Sequence, residues 1–477
     1  MSNQTQQNQN ALQLKKVMQA IPKEINEEAP TKDPLGDLIS QISTRKVPVN
    51  SLTRLWALGS MQAKIAVGYL AYAMRSIFSN KNEQERILNE THLAAALKLL
   101  GTMGYLRGAV MKIGQLLGNL PHIVPEEVAE TMERLQFEAP PMHYSLIREV
   151  FLDEFGAEPS ELFATFDKKA FAAASLGQVH RATLKSGEEV AVKIQYPNMA
   201  ATIRSDMANL RKTLMPMKLK QEGRYIFDHL DDAEIMLHHE TDYTREAAFM
   251  AQVKELFGPE DLVVVPKVWE DYSNQRILTT DYLKGKHLRD YLPTNPDQEH
   301  RDHFGTLISR AVFRIYGAAK TIYADPHPGN FLFLDDDRLG LIDFGCYRTL
   351  SEEEWEVQIG AEKALMEGDA KGLDKAIAAS CLFASVEEME PERLDYLRRL
   401  SFWQAEPMQT QGPFAFGDKD FFQRGIDIYS ESVKRGYNRH NSLYNWWARL
   451  ISGHRTLLYR LNSNVDYRHI YIDEKTY

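Results

Sequence analysis

Two short stretches of the chain carry residues that could move a phosphoryl group. The first is Asp325-Pro-His-Pro-Gly-Asn330, and the second is Leu341-Ile-Asp343-Phe-Gly345. Phosphoryl transfer needs a carboxylate to orient the acceptor and oxygen ligands to hold Mg²⁺ against the phosphates. An aspartate followed five residues later by an asparagine, with an Asp-Phe-Gly turn beyond a short hairpin, supplies both. Asp325 then orients the acceptor, and Asn330 and Asp343 are the metal ligands. Asp-Phe-Gly alone is common in turns. Its weight comes from the Asp–Asn pair and from the apolar pieces 331–334 and 339–342, which flank an Asp335-Asp336-Asp337 turn.

A second signal lies upstream. Val190-Ala-Val-Lys193 ends an apolar strand, where a kinase places the lysine that pairs the α- and β-phosphates. Before it comes Ala172-Ala173-Ala174-Ser175-Leu-Gly177-Gln-Val179, where an ordinary kinase has a glycine-rich loop over the phosphates. Ala172 and Ala174 replace the first two glycines, so the loop Ala172–Ser175 should be stiffer, because alanine visits positive φ less readily. Val179 and Ala191 should line the adenine pocket, and Thr280-Asp281-Tyr282-Leu283 should act as the hinge, with backbone contacts from Asp281 and Leu283. Lys193 needs an anionic partner. In Glu240-Thr-Asp242-Tyr-Thr-Arg-Glu246, read as one helix, Asp242 and Glu246 share a face while Glu240 points elsewhere. Glu246 is the expected partner.

These residues require a strand-rich unit and a helix-rich unit facing one another. Residues 1–45 lack a sustained apolar period and read as disordered. Residues 46–162 read as an all-helical extension, 163–283 as a small lobe with a helical insertion, and 284–477 as a helical large lobe. Strands are expected over 171–183, 189–195, 262–268 and 276–282, and Ser351 with Glu354 forms a capping box that starts the next helix. Within the extension, Lys112 and Gln115 lie on one helix face beside Gly114.

A net charge of −10 argues against nucleic acid as a partner, and two distant cysteines, Cys346 and Cys381, argue against a disulfide framework. No secretory signal is expected, and the apolar run Ile65–Met74 is too short to span a bilayer. The stretch Leu55–Phe78 could instead lie along a membrane surface. The expected location is cytoplasmic, with peripheral attachment at the inner membrane face as an option.

The set Lys112-x-Gly-Gln115, the alanine-rich run Ala172–Ser175, Glu240-x-Asp242, Asp325–Asn330 and Asp343 resembles the UbiB/AarF family of atypical kinases. Lys46-Val-Pro-Val49, Lys193-Ile-Gln-Tyr-Pro197 and Asp242-Tyr-x-Arg-Glu-Ala247 add to the resemblance, which is strongest to the subgroup containing the coenzyme-Q-biosynthesis kinase. It implies an α+β, two-lobed protein-kinase-like fold with the helical extension packed over the cleft. It also implies ATP or ADP and Mg²⁺, and a small-molecule or lipid-precursor substrate, with a membrane surface and a homodimer as further possibilities. Lys112, Gln115, Glu240 and Asp242 are then regulatory: Lys112 contacts Glu240 and Asp242, leaving Glu246 to Lys193. Tyr323-Ala324 stand where a kinase has His-Arg, and the short chain after Gly345 leaves hardly any room for an activation loop. A phosphotransferase of the aminoglycoside or choline type, and a nucleotide-dependent scaffold without turnover, are the competing readings.

Overall fold

The computed structural model describes residues 144–475 apart from 175, 198, 215–230, 233 and 438–439. Lys112, Gln115, Ser175 and the stretch 55–78 lie outside the described residues.

The first unit is an antiparallel five-stranded sheet in the order β1 (Thr165–Phe166), β3 (Gly177–Thr183), β4 (Glu189–Gln195), β6 (Ile277–Asp281), with β2 (Ala172–Ala174) pairing beside β1 along β3. Side chains alternate across a strand. Val190, Val192 and Ile194 of β4 are fully buried on one face, which puts Ala191 and Lys193 on the other. The buried row packs with Ala182, Ile277 and the helix α1 (Tyr144–Phe155) through Ile147, Val150 and Phe151. The three α1 positions follow helical spacing, so one stripe closes the back of the sheet. Helix α1 falls within the expected 46–162 extension, yet it packs in the small-lobe core, on the sheet face away from Lys193.

The alanine-rich run also differs from expectation. Ala172–Ala174 form a strand, paired Ala172↔Val179, Ala173↔Gln178 and Ala174↔Gly177. No residue in Ala172–Ala174 has positive φ, so the alanines carry no backbone strain there. Gly177 is different: a Cβ on it would lie 2.2 Å from the Ile194 carbonyl oxygen. Close strand approach therefore demands glycine at this position and not at the first two.

Helix α2 (Met199–Leu214), the helical stretch 234–240 and helix α3 (Tyr243–Lys254) follow β4. The strand read over 262–268 does not join the small-lobe sheet. Its β5 portion (Val263–Val264) pairs parallel with β10 (Leu339–Leu341) in a second sheet, ordered β5, β10, β9 (Phe331–Leu334), β7 (Gly285–Lys286). The reason is burial: Val263 and Val265 enter the large-lobe core, and the chain returns to β6 only at its end, where Val268 bridges to Thr280 and the Trp269 amide donates to the Thr279 carbonyl.

That core surrounds α4 (Gln298–Ala318), with α5 (Glu352–Glu367), α6 (Ala370–Ser380), α7 (Pro391–Gln409), α8 (Lys419–Arg435), α9 (Ser442–Leu461) and α10 (Tyr467–Lys475) following. After Gly345 the chain enters β11 (Tyr347–Thr349), which pairs with β8 (Thr321–Tyr323). Ser351 then caps α5 in a capping box with Glu354, as its pattern indicates. No activation segment separates the Asp-Phe-Gly turn from the next helix.

His454 of α9 joins three helices in this core. It is fully buried, 3.1 Å from Ser309 Oγ on α4 and 3.3 Å from Tyr467 Oη on α10. Burial, with Arg455 beside it, pushes its pKa down to about 3. The folded state thus resists a proton that the unfolded chain accepts near 6.5. The stability this provides is complete above the unfolded value and is lost as pH falls from there toward 3. Replacement of His454 by Gln should flatten the fall of urea-unfolding free energy over that window by roughly 1.4 kcal/mol per pH unit. An unchanged slope would mean that His454 is not held neutral.

Candidate active site

Lys193 leaves β4 on the face away from α1, directly across from Val179 on β3 and Leu278 on β6. Its partners come from α3 and from the Asp-Phe-Gly turn. The chain leading into α3 is not one continuous helix. Asp242 is extended (φ −121, ψ 96) and its carboxylate accepts from the Thr244 amide, making it the N-cap. Asp242 and Glu246 therefore do not share a helical face. The break at Thr241–Asp242 also redirects Glu240, which is buried rather than turned away. A Cβ on Gly345 would sit 3.5 Å from Glu240 Cγ, 3.5 Å from Asp343 Oδ1 and 3.6 Å from Glu246 Oε2. Three carboxylate side chains thus converge on Gly345.

Two bonds fix the start of α3 to the sheet: buried Gln195 Nε2 donates to the Thr241 carbonyl (3.0 Å), and the Tyr243 amide donates to the Gln275 carbonyl (3.1 Å). Glu246, only 2% exposed, then faces Lys193. The Lys193 Nζ donates to Glu246 Oε1 (2.8 Å), Glu246 Oε2 (2.9 Å) and Asp343 Oδ2 (3.0 Å). An ammonium has three N–H groups, so all are used. The Tyr243 ring lies beneath the cation, 5.1 Å from Nζ to its centroid.

The Asp-Phe-Gly turn is held from both lobes. The Phe344 amide donates to Glu246 Oε1 (3.3 Å), and the Gly345 amide donates to Asp343 Oδ1 (3.1 Å). From below, the hydroxyl of buried Tyr323 donates to the Asp343 carbonyl (2.8 Å). Tyr323 lies two residues before Asp325, itself 9% exposed at the end of β8. Asn330 Nδ2 donates to the Asp325 carbonyl (2.7 Å), and the Ile342 amide donates to the Asn330 carbonyl (3.1 Å). These bonds lock Asp325, Asn330 and Asp343 into one loop pair. Pro326 presses on α9, where a Cβ at Gly453 would lie 2.8 Å from Pro326 Cγ. Sequence reading missed Tyr323, Gln195 and Gly453 as supports. Tyr323 was visible only as a departure from His-Arg.

The hinge is narrower than expected. The Asp281 amide is taken by the Lys267 carbonyl (3.0 Å), and its carboxylate by the Lys267 amide (3.0 Å) and Trp269 Nε1 (2.9 Å). A backbone contact to adenine at Asp281 is thereby limited to its carbonyl. Leu283 packs toward β10, its Cδ1 being 3.0 Å from the Cβ position of Gly340. Ala191 pairs with Thr280 and faces the same side as Lys193.

The ABC1 atypical kinase-like domain matches residues 134–377, just over half of the chain. The chain belongs to the ABC1 atypical kinase family. Its match to the atypical kinase COQ8, mitochondrial, of Schizosaccharomyces pombe is 31% identical over 309 residues, 64% of this chain and 50% of that protein. The corresponding Saccharomyces cerevisiae protein is 29% identical over 316 residues, 65% of this chain and 62% of that one. AarF domain-containing protein kinase 1 of Mus musculus is 30% identical over 300 residues, covering 61% and 56%. The chain thus spans about half the length of the curated relatives it matches. The solved complex of Rv3197 with erythromycin from Mycobacterium tuberculosis superposes with a TM-score of 0.55 at 25% identity, over 81% of this chain and 97% of that one. The kinase-like fold, mixed helix and sheet, follows.

Within this ABC1 kinase-like site, electrostatics follow from one ammonium shared by two carboxylates. Burial opposes the Lys193 charge, but Asp343 and Glu246 outweigh it and hold its pKa well above the ordinary lysine value. Burial raises Glu246 to about 7, against the attraction of Lys193, with Asp343 adding repulsion. Burial also keeps the Tyr323 phenol protonated as a donor. Mg²⁺ prefers a few hard oxygen ligands and completes its shell with phosphates and water. Asp343, 31% exposed, and the amide oxygen of Asn330 offer that donor set. No cluster of three or more His, Cys, Asp or Glu side chains able to hold a metal occurs among the described residues.

Tyr323→Phe removes the hydroxyl beneath the turn and leaves the Asp343 carbonyl without that donor. The expected cost is about 1–3 kcal/mol in urea unfolding, with weaker Mg²⁺-dependent nucleotide binding. Unchanged stability and binding would show that Tyr323 does not hold Asp343.

Proposed function

We propose that this chain is an Mg²⁺-dependent, ATP-binding atypical kinase or ATPase that supports ubiquinone or other isoprenoid-lipid metabolism. The observation that carries this reading is Lys193 held between Glu246 and Asp343, beside the Asp325–Asn330 loop. Lys193 is assigned to the phosphates, Asp343 and Asn330 to Mg²⁺, and Asp325 to orienting the acceptor. Bound there, Mg²⁺ would neutralise charge on the phosphates. Glu246 keeps Lys193 in place, and Tyr323 and Asn330 keep the two carboxylates in register. Ala172–Ala174, Ser175, Val179, Ala191, Asp281 and Leu283 are assigned to the nucleotide.

The isoprenoid-lipid assignment rests on relatives that carry the name atypical kinase COQ8. Their names also read mitochondrial, so the expected cytoplasmic location finds no support in them. Among the described residues, no helix is long and apolar enough to cross a membrane. Peripheral attachment through Leu55–Phe78, a lipid-precursor substrate, and a latch of Lys112 and Gln115 on Glu240 and Asp242 remain part of this proposal. A second reading, a small-molecule phosphotransferase, draws on Rv3197 having been solved with erythromycin.

ATP or ADP should raise the thermal midpoint of the parent protein only with Mg²⁺. Asp343→Asn should abolish that shift. Asp325→Asn should keep it while lowering ADP release at least about a hundredfold, the scale of a lost acid–base contribution. Full Mg²⁺-dependent stabilisation of Asp343→Asn would contradict the metal assignment. Turnover by Asp325→Asn at the parent rate would contradict its role.

A further inference from the structure

The Tyr243 hydroxyl has no hydrogen-bond partner among the described residues, although Tyr243 is only 2% exposed. Buried hydroxyls are nearly always satisfied, and one that is not costs stability. This one belongs to the residue whose ring lies under the Lys193 ammonium. It also feels the charges of Lys193, Glu246, Asp343 and Glu240, and burial keeps it protonated. Tyr243 is the first residue of α3, fixed through its amide to Gln275, so its position is set by backbone and does not need the hydroxyl.

Lys193 presents the complementary condition. Its three N–H groups are all taken, two by Glu246 and one by Asp343. It has no donor to spare for a phosphate, while Tyr243 has a donor and no acceptor. One anionic oxygen that displaces Asp343 from Lys193 would resolve both conditions. Asp343 is the partner able to leave, being 31% exposed against 2% for Glu246.

We propose that Tyr243 is a nucleotide-binding residue, whose hydroxyl donates a hydrogen bond to an oxygen of the phosphate chain that takes the place of Asp343 on Lys193. The inference rests on the nucleotide-binding reading above and adds a donor that the kinase motifs do not assign. Glu246 keeps its two bonds to Lys193 throughout, so the exchange swaps one carboxylate oxygen for one phosphate oxygen.

The test is Tyr243→Phe in the full chain, with affinities for ATP, ADP and adenosine measured by competition and stability by urea unfolding without ligand. The expected result is about tenfold or more weaker binding of ATP and ADP, the scale of one hydrogen bond to a charged oxygen. Adenosine binding should be unchanged, and the ligand-free urea midpoint should be equal to or above the parent's, because an unsatisfied buried group has been removed. Equal ATP affinity in parent and variant overturns the inference and leaves the nucleotide reading intact. Equal losses for ATP and adenosine, or a lowered urea midpoint, show a structural role and also overturn it. A parent protein that binds none of the three removes the nucleotide reading itself.

Discussion

A buried ammonium cannot stand without a counter-charge, and most of the site's architecture answers that requirement at Lys193. An unpaired charge in this position would cost several kcal/mol. Lys193 is 14% exposed, and its nearest acceptor, Glu246, is 2% exposed. The partners arrive from separate elements: Glu246 from the first turn of α3, and Asp343 from the turn after β10. Each must be delivered by its own support. Val190, Val192 and Ile194 set the phase of β4 so that Lys193 faces the cleft. Asp242 ends one helical stretch and starts the next, and Gln195 ties that junction to the sheet. Tyr323 holds the Asp343 backbone from the large lobe. The contact joins the lobes.

Two carboxylates for one ammonium is an unbalanced arrangement. Burial raises Glu246, the charge of Asp343 adds to that rise, and the triad is left with excess negative charge. A divalent ion near Asp343, as the proposed function has it, would restore balance. Glu240, Glu246 and Asp343 converge on Gly345, at ordinary contact distance from a Cβ there.

Much of this was legible in local spacing. Asp325 and Asn330, Asp343 beyond a hairpin, Lys193 at the end of an alternating strand, and the Ser351 capping box all depend on residues a few positions apart. Glu246 was legible once Lys193 demanded a partner. What failed to show depends on distant contacts. Val263 and Val264 form a two-residue strand whose sheet cannot be read from period, and the burial of Val263 and Val265 in the large-lobe core decides it. The surface that α1 covers depends on contacts of Ile147, Val150 and Phe151 with the sheet, which the local sequence does not contain. Ala172–Ala174 were read through the glycines they replace, although alanines in extended backbone pair readily as a strand. The i,i+4 spacing of Asp242 and Glu246 suggested a shared face, but an aspartate two residues before Thr244 can also cap, and here it does. Tyr323 stood out only as a departure from His-Arg and Gly453 not at all, because their partners lie 20 and more than 100 residues away.

The central claim is that Lys193 and Glu246 act as one unit. A double-mutant cycle of Lys193→Met, Glu246→Gln and the pair, by urea unfolding at pH 8, tests it most directly. Exposed ion pairs couple by at most about 1 kcal/mol. Mutual dependence of a buried pair predicts a coupling of about 2 kcal/mol or more, with the double variant more stable than the two single losses would sum to. Additivity within roughly 0.5 kcal/mol would contradict the account.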